Sequence, residues 1–180
     1  MEATVTALRD ELIDRCKRGE ATAFKELYQR YAKAMYNTCL RILSNASEAE
    51  DVLQESFTEA FRNIHGFEYR SGFGSWIKQI CINRSINQLK RRKVTWVDIE
   101  LANKHEETYS NETDELDIQF MVEKVKLAIK QLPDGYRAVL SLYLLEGYDH
   151  EEIAEILQVS GSTSRTQYIR AKQKLLQLLK

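Results

Sequence analysis

The sequence predicts an all-α protein of two small helical domains joined by an acidic linker, with a helix-turn-helix in the second. Three observations predict it. Apolar residues recur at three- and four-residue steps in one run after another, the period of a helix face. One proline and seven glycines punctuate 180 residues, too few breakers for a turn-rich β protein. Residues 98–117 carry eight acids against the single base Lys104, a net of −7, without any apolar period. The domains are therefore placed at 1–93 and 118–180, with the linker at 94–117.

The first helix is expected over 6–17, with Leu8, Leu12, Ile13 and Cys16 inward and Gly19 as its stop. A long helix over 20–43 follows. Phe24, Leu27, Tyr28, Tyr31, Met35, Cys39 and Ile42 form its stripe, and Lys25, Arg30, Lys33 and Arg41 lie outside. The third helix is predicted to open at a capping box, Ser47 with Glu50. Ala49, Val52, Leu53, Phe57, Ala60, Phe61 and Ile64 make its apolar face. Asp51, Gln54, Glu55, Thr58 and Arg62 make a second face of carboxylates and amides, either a solvated surface or one that docks a protein.

Residues 66–74 read GFEYRSGFG, where three glycines permit tight backbone geometry. Phe67, Tyr69 and Phe73 either stack on unpaired bases, at about 1–3 kcal/mol per base, or fold under the loop as local core. A helix over 75–93 follows, with Trp76, Ile77, Ile80, Ile86 and Leu89 apolar. Asn83, Asn87, Lys90 and Arg91 share a polar face, and Asn and Arg can read base edges. Arg84, Lys90, Arg91, Arg92 and Lys93 are five cations between 84 and 93 with no acid, the footprint of a phosphate contact. The acidic stripe and the cationic helix are expected to lie back to back, one surface for a protein and the other for nucleic acid.

The run EAEDVLQESFTEAFRNI, followed by F-x5-F-x2-WI-x2-I-x2-N-x3-N-x-LKRRK, resembles region 2 of the extracytoplasmic-function (ECF) sigma factors. These are the small members of the sigma-70 family of bacterial transcription initiation factors. The resemblance implies that the acidic helix binds the clamp helices of core RNA polymerase, with Asp51, Gln54, Glu55 and Phe57 at the matching positions. It implies that the loop and next helix melt and hold the −10 promoter element. Phe67, Tyr69, Asn83, Arg84, Asn87, Lys90, Arg91 and Arg92 would do so here. Where the family usually has glycine two residues after Phe67, this chain has Tyr69.

The linker begins with the apolar run VTWVDIEL and continues polar and acidic. Extended, its residues could reach about 80 Å. The second domain is predicted to start with a helix over 118–132, with Ile118, Met121, Val122, Val125, Ala128, Ile129 and Leu132 inward, ended by Pro133. A helix over 136–146 stops at Gly147, with Val139, Leu140, Tyr143 and Leu144 apolar. Asp149 and Glu152 form a capping box for a helix reaching Leu157. The short turn Gln158, Val159, Ser160, Gly161 then leads into a last helix over 162–179, a helix-turn-helix reading. Residues 158–180 hold five bases and no acid, either a solvated basic face or a DNA contact.

The stretch EGYDHEEIAEILQVSGST is similar to ECF region 4, whose last helix lies in the major groove of the −35 element. The resemblance assigns Ser162, Thr163, Ser164, Arg165, Thr166, Tyr168, Arg170 and Lys172 to that contact. The family often has an apolar residue where Ser164 stands and a basic one at Gln167.

Other classes find no support. Cys16, Cys39 and Cys81 are odd in number and lie in no CxxC or CxxH pair, and His65, His105 and His150 show no ligand spacing. No metal, cofactor or catalytic constellation is expected, and the chain is read as no enzyme. Nothing reads as a signal peptide or membrane span, so no membrane insertion is expected and the reducing cytoplasm is the expected compartment. The expected partners are core RNA polymerase and promoter DNA, with an anti-sigma factor as a further candidate. A helix-turn-helix regulator acting without polymerase is the alternative, and a helical interaction module a weaker third. The acidic stripe at Asp51–Glu55 and the aromatic loop beside Asn83 favour the initiation factor, since a duplex-only regulator needs neither.

Overall fold

The computed structural model describes residues 10–92 and 115–180, with side chains from 119 onward in the second stretch. The linker prediction for 94–114 and the predicted helical residues 6–9 lie outside the described residues. The chain divides after Arg92 into two compact units.

The first unit comprises α1 (Glu11–Lys17), α2 (Ala21–Leu43), α3 (Ala46–Arg62), a 3-10 turn (Ile64–Gly66) and α4 (Phe73–Arg91). The Asp10 carboxylate starts α1 by accepting the Leu12 N–H at 3.0 Å. Gly19, at φ 82, turns the chain into α2 in a conformation that glycine adopts without penalty. Helices α2, α3 and α4 pack against one another around Leu27, Ile42, Leu43, Leu53, Ile77, Ile82, Ile86 and Leu89, all buried. Each such side chain contributes about 1.5–3 kcal/mol on burial. The aromatic residues of α2 edge this core: Phe24 meets Phe61 at 5.0 Å, Tyr28 meets Phe57 at 4.7 Å and Tyr31 meets Phe73 at 5.4 Å.

Several boundaries differ from the sequence reading: α1 starts at Glu11 behind its Asp10 cap, and the start of α3 and the loop before α4 are set differently. Ser47 and Glu50 form no cap, because α3 starts at Ala46 and the Asn45 side chain accepts the Glu48 N–H at 3.1 Å. Ser44, at φ 53, ends α2 and reverses the chain, so the best cap residue within reach is Asn45. Helix α4 starts at Phe73, with Gly72 before it, so the loop shrinks to residues 67–72. None of the loop glycines takes a positive φ; Tyr69 does, at 56°. Gly74 instead makes room, since a Cβ there would stand 2.9 Å from Cε1 of Tyr31.

The second unit comprises α5 (Glu115–Gln131), α6 (Asp134–Leu144), α7 (His150–Leu157) and α8 (Gly161–Leu179). Helix α6 is the central one, buried at every residue from Gly135 to Leu142. Even Arg137 is enclosed: its Nη1 donates to the Leu132 carbonyl at 2.7 Å and it pairs with Asp134, closing the end of α5. The α7 capping box forms as read, with the Glu152 N–H to Asp149 at 2.8 Å and the Asp149 N–H to Glu152 at 2.9 Å.

Helix α5 departs from its predicted orientation. It begins inside the stretch assigned to the linker, and among the described side chains of its expected inner face only Ala128 and Leu132 are buried. Met121 and Val122 are exposed, as are Leu127 and, at 72 %, Phe120. Among the described residues, Ile129 and Leu132 in the second half of α5 join Tyr136, Leu140 and Ala171 in one cluster, with Leu175 and Leu178 of α8 packed against it.

Candidate protein and nucleic-acid interfaces

Asp51, Gln54, Glu55 and Thr58 stand exposed on α3, one turn apart, as the periodicity requires. Phe57 does not join them. It is 2 % exposed, packed on Tyr28 and Phe61, because the apolar stripe of α3 turns it onto α2. The sequence reading of Phe57 as a polymerase contact is corrected to a core residue behind the stripe.

The acidic stripe and the polar face of α4 do not lie back to back. They share a groove of about 380 Å³ lined by Glu48, Asp51, Glu55, Glu59, Asn83, Arg84, Asn87 and Arg91. Two of the cations bridge it. Arg84 donates from Nε to Glu59 at 2.7 Å and pairs with Glu55. Arg92 donates from Nε to Glu48 at 3.2 Å and from Nη1 to the Leu43 carbonyl at 3.2 Å. The side-by-side arrangement follows from the direct packing of α3 on α4. Asn83, Asn87 and Arg91 remain exposed, and Lys90 is half-buried. Lys93 lies outside the described residues.

In the loop, Phe67 is 5 % exposed, enclosed by Tyr69, Phe73 and Trp76 with ring centroids at 5.0, 6.0 and 5.1 Å. The reading of Phe67 as a surface that bases reach is corrected for this conformation: four aromatic rings gain more by packing together than one gains by facing water. Tyr69 is half-buried at the surface. Two residues of α1 hold it: Tyr69 donates its hydroxyl hydrogen to Asp14, and the Lys17 ammonium stands 4.5 Å from its ring centroid.

In the second unit, Ser160 caps α8 by accepting the Thr163 N–H at 3.1 Å, and its hydroxyl also meets those of Ser162 and Thr163 at 2.8 Å. Ser162, Arg165 and Lys172 are exposed, while Thr163, Thr166 and Arg170 are half-buried. Arg165 pairs with Glu151 of α7, and the Thr166 hydroxyl donates to the Ser162 carbonyl at 2.9 Å. Ser164 is corrected: it is fully buried, its Oγ 3.0 Å from His150 Nδ1, so it positions the helix instead of touching DNA. Tyr168 packs on Tyr143 at 4.5 Å with Lys172 5.6 Å from its centroid, and burial pushes its hydroxyl pKa up.

Sequence reasoning missed Asn45, a local cap of α3, and Glu59, Asp14, Lys17 and His150, whose roles arise from contacts between separate elements. It also missed Ile169, 55 % exposed on α8 one turn from Arg165 and Lys172, where an aliphatic side chain can meet a thymine methyl. Cys16, Cys39 and Cys81 are buried thiols, and a hydrogen bond to Cys39 together with burial drives the Cys81 pKa up. Among the described residues no helix is long and apolar enough to cross a membrane.

The second unit has the helix-turn-helix architecture of DNA-binding proteins, joined in sequence to a helical unit with an acidic groove. Residues 27–95 match the family Sigma-70 region 2, and residues 123–175 match Sigma-70, region 4. The chain is 30% identical over 172 residues to RNA polymerase sigma-H factor of Pseudomonas aeruginosa, covering 91% of this chain and 89% of that one. It is 29% identical over 172 residues to ECF RNA polymerase sigma factor SigW of Bacillus subtilis, covering 91% and 92%. The solved structure of the sigma factor RpoE in complex with the anti-sigma factor NepR from Bartonella quintana shares the fold. Its TM-score is 0.55 at 24% identity, over 87% of this chain and 96% of that one. The chain belongs to the extracytoplasmic-function group of the sigma-70 family and is an RNA polymerase sigma factor.

Proposed function

We propose that the two units divide the work of promoter recognition. Unit 1 docks on core RNA polymerase through Asp51, Gln54 and Glu55 of α3. It holds the melted −10 strand with Asn83, Asn87, Arg91 and the loop around Tyr69. Unit 2 lays α8 in the major groove of the −35 element, with Ser162, Arg165, Ile169 and Lys172 toward the bases and phosphates. The observation that carries this reading is the shared groove of α3 and α4, which sets an exposed acid and amide face directly beside an Asn and Arg face.

A regulator acting on duplex DNA alone has no use for that groove, and the family assignment disfavours it. Polymerisation chemistry belongs to the partner enzyme, and the compartment is the one where that enzyme works, the cytoplasm. An anti-sigma factor joins the proposed partners, because Phe120, Met121 and Leu127 leave an apolar strip exposed on α5, of the kind another protein covers. The test is run-off transcription with purified core polymerase on a promoter library. Specific transcripts that require this chain support the reading. Equal transcription without it, or retarded duplex DNA without polymerase at physiological salt, favours the regulator.

A further inference from the structure

Tyr69 occupies a left-handed backbone conformation, φ 56, at the position where glycine would be at ease. For a residue with a Cβ that conformation costs about 1–2 kcal/mol. Something has to offset the cost, and the contacts that do so come from α1. Asp14 accepts the Tyr69 hydroxyl hydrogen. Lys17, one helical turn later, places its ammonium 4.5 Å from the Tyr69 ring centroid. The same ammonium donates to the Phe67 carbonyl at 2.6 Å. Asp14 and Lys17 stand at i and i+3, so one face of α1 grips both ends of the Phe67–Tyr69 segment.

The grip decides what a base meets. Phe67 is buried among Tyr69, Phe73 and Trp76, which leaves Tyr69 as the half-exposed aromatic of the loop. A glycine at 69 would permit the backbone turn but present no ring. A tyrosine presents one, with an orientation set by its hydroxyl partner and by the cation beside it.

We propose that Asp14 and Lys17 are positioning residues for the loop that captures an unpaired −10 base, and that by fixing Tyr69 they set which base is accepted. The inference rests on the reading of the loop as the base-capturing element. Asp14 and Lys17 touch no DNA; they act through Tyr69 and the Phe67 carbonyl. With glycine at 69 no hydroxyl would reach Asp14, so the device depends on the tyrosine there.

The test uses holoenzyme assembled from core polymerase and the full chain. It titrates fluorescent −10 non-template strands in which each position carries each of the four bases in turn. Asp14→Ala and Tyr69→Phe are each expected to lower the preference for the best base over the worst at one position by on the order of tenfold, the worth of one hydrogen bond to a charged group. The double variant should lose no more than either single one, because both remove the same bond. Lys17→Met should reduce the same preference, while −35 duplex binding and core polymerase affinity stay unchanged. In a Tyr69→Gly chain, Asp14→Ala should change nothing. Preference that survives Asp14→Ala, or losses that add in the double variant, overturns the proposal. If Tyr69→Phe and Tyr69→Gly both leave base preference intact, the loop reading falls and the proposal with it. Thermal unfolding of each variant separates these outcomes from misfolding, and Tyr69→Phe, a surface change, keeps the cycle readable if Asp14→Ala does not fold.

Discussion

Arg84 of α4 holds Glu59 of α3, with Nε 2.7 Å from Oε2, and the same guanidinium pairs with Glu55 one turn earlier. A cation assigned to DNA and an acid assigned to polymerase thus share one ion-pair cluster. The groove cannot offer Arg84 to a phosphate and Glu55 to polymerase while the cluster stays closed. Under the proposed roles, binding at either side would favour opening at the other, a coupling that must be reciprocal.

The first prediction follows from Glu59, which belongs to neither assigned set. Exposed pairs contribute about 0–1 kcal/mol, so Glu59→Gln should hardly change stability. It should raise the affinity of the free chain for single-stranded −10 DNA by roughly two- to fivefold, the factor that such an energy allows. Fluorescence anisotropy at low salt reads it. No gain would mean that Glu59 does not restrain Arg84, or that Arg84 meets no phosphate.

Polymerase docking is best probed away from that cluster. Asp51→Ala with Gln54→Ala leaves Glu55 and Arg84 in place, and alanine is the strongest helix former, so α3 should stay folded. Calorimetric titration with core polymerase should show affinity lowered by about tenfold or more, as removal of a charged hydrogen bond does. Phe57→Ala gives the contrast: as a core residue it should cost about 3–5 kcal/mol of stability. Unaltered polymerase affinity in the Asp51, Gln54 variant removes the docking assignment.

How much of this was legible in the sequence depends on distance along the chain. The Asp149–Glu152 capping box is purely local, and it stands as read. The α3 start is local too, but two caps compete there, Asn45 with Glu48 and Ser47 with Glu50. Where α2 ends decides between them. Periodicity marks the stripe Asp51, Gln54, Glu55 and puts Phe57 on the apolar face, where it lies; only the family resemblance made Phe57 and Ser164 contact residues, and both are buried. On α5 the apolar period is real, but no period shows which of its residues a neighbour covers. The contacts Lys17 to Phe67, Tyr69 to Asp14 and Arg84 to Glu59 span 50, 55 and 25 residues, and only the packed fold brings them together.

The third prediction concerns α8. Replacing Arg165 and Arg170 with Gln should weaken −35 duplex binding. The slope of log K against log salt should fall by about one for each phosphate deprived of its cation. Because Arg165 pairs with Glu151, Glu151→Gln should act in the opposite sense, raising affinity at low salt. A slope that stays at the parent value in the double Arg variant would show that another element reads the duplex.

The last prediction tests what holds the two helices of the helix-turn-helix in register. Ser164 is fully buried in the first turns of α8, and its Oγ lies 3.0 Å from Nδ1 of His150, the first residue of α7. The His150 ring stacks on Tyr143 of α6 at 4.6 Å and meets Tyr168 of α8 at 5.5 Å, so three helices converge on one imidazole. A polar atom buried without its partner costs about 1–3 kcal/mol, whereas replacing both partners by apolar groups is nearly neutral. Ser164→Ala and His150→Leu should therefore each lower stability by about 1–3 kcal/mol. The double variant should lose clearly less than the sum, the sign of coupled sites. Thermal unfolding of the full chain measures the losses. A duplex titration below the transition should give the parent salt slope for every variant, since neither side chain is assigned a phosphate. If the two losses simply add, the His150–Ser164 contact is not what fixes α7 against α8, and aromatic packing on Tyr143 and Tyr168 carries the register instead.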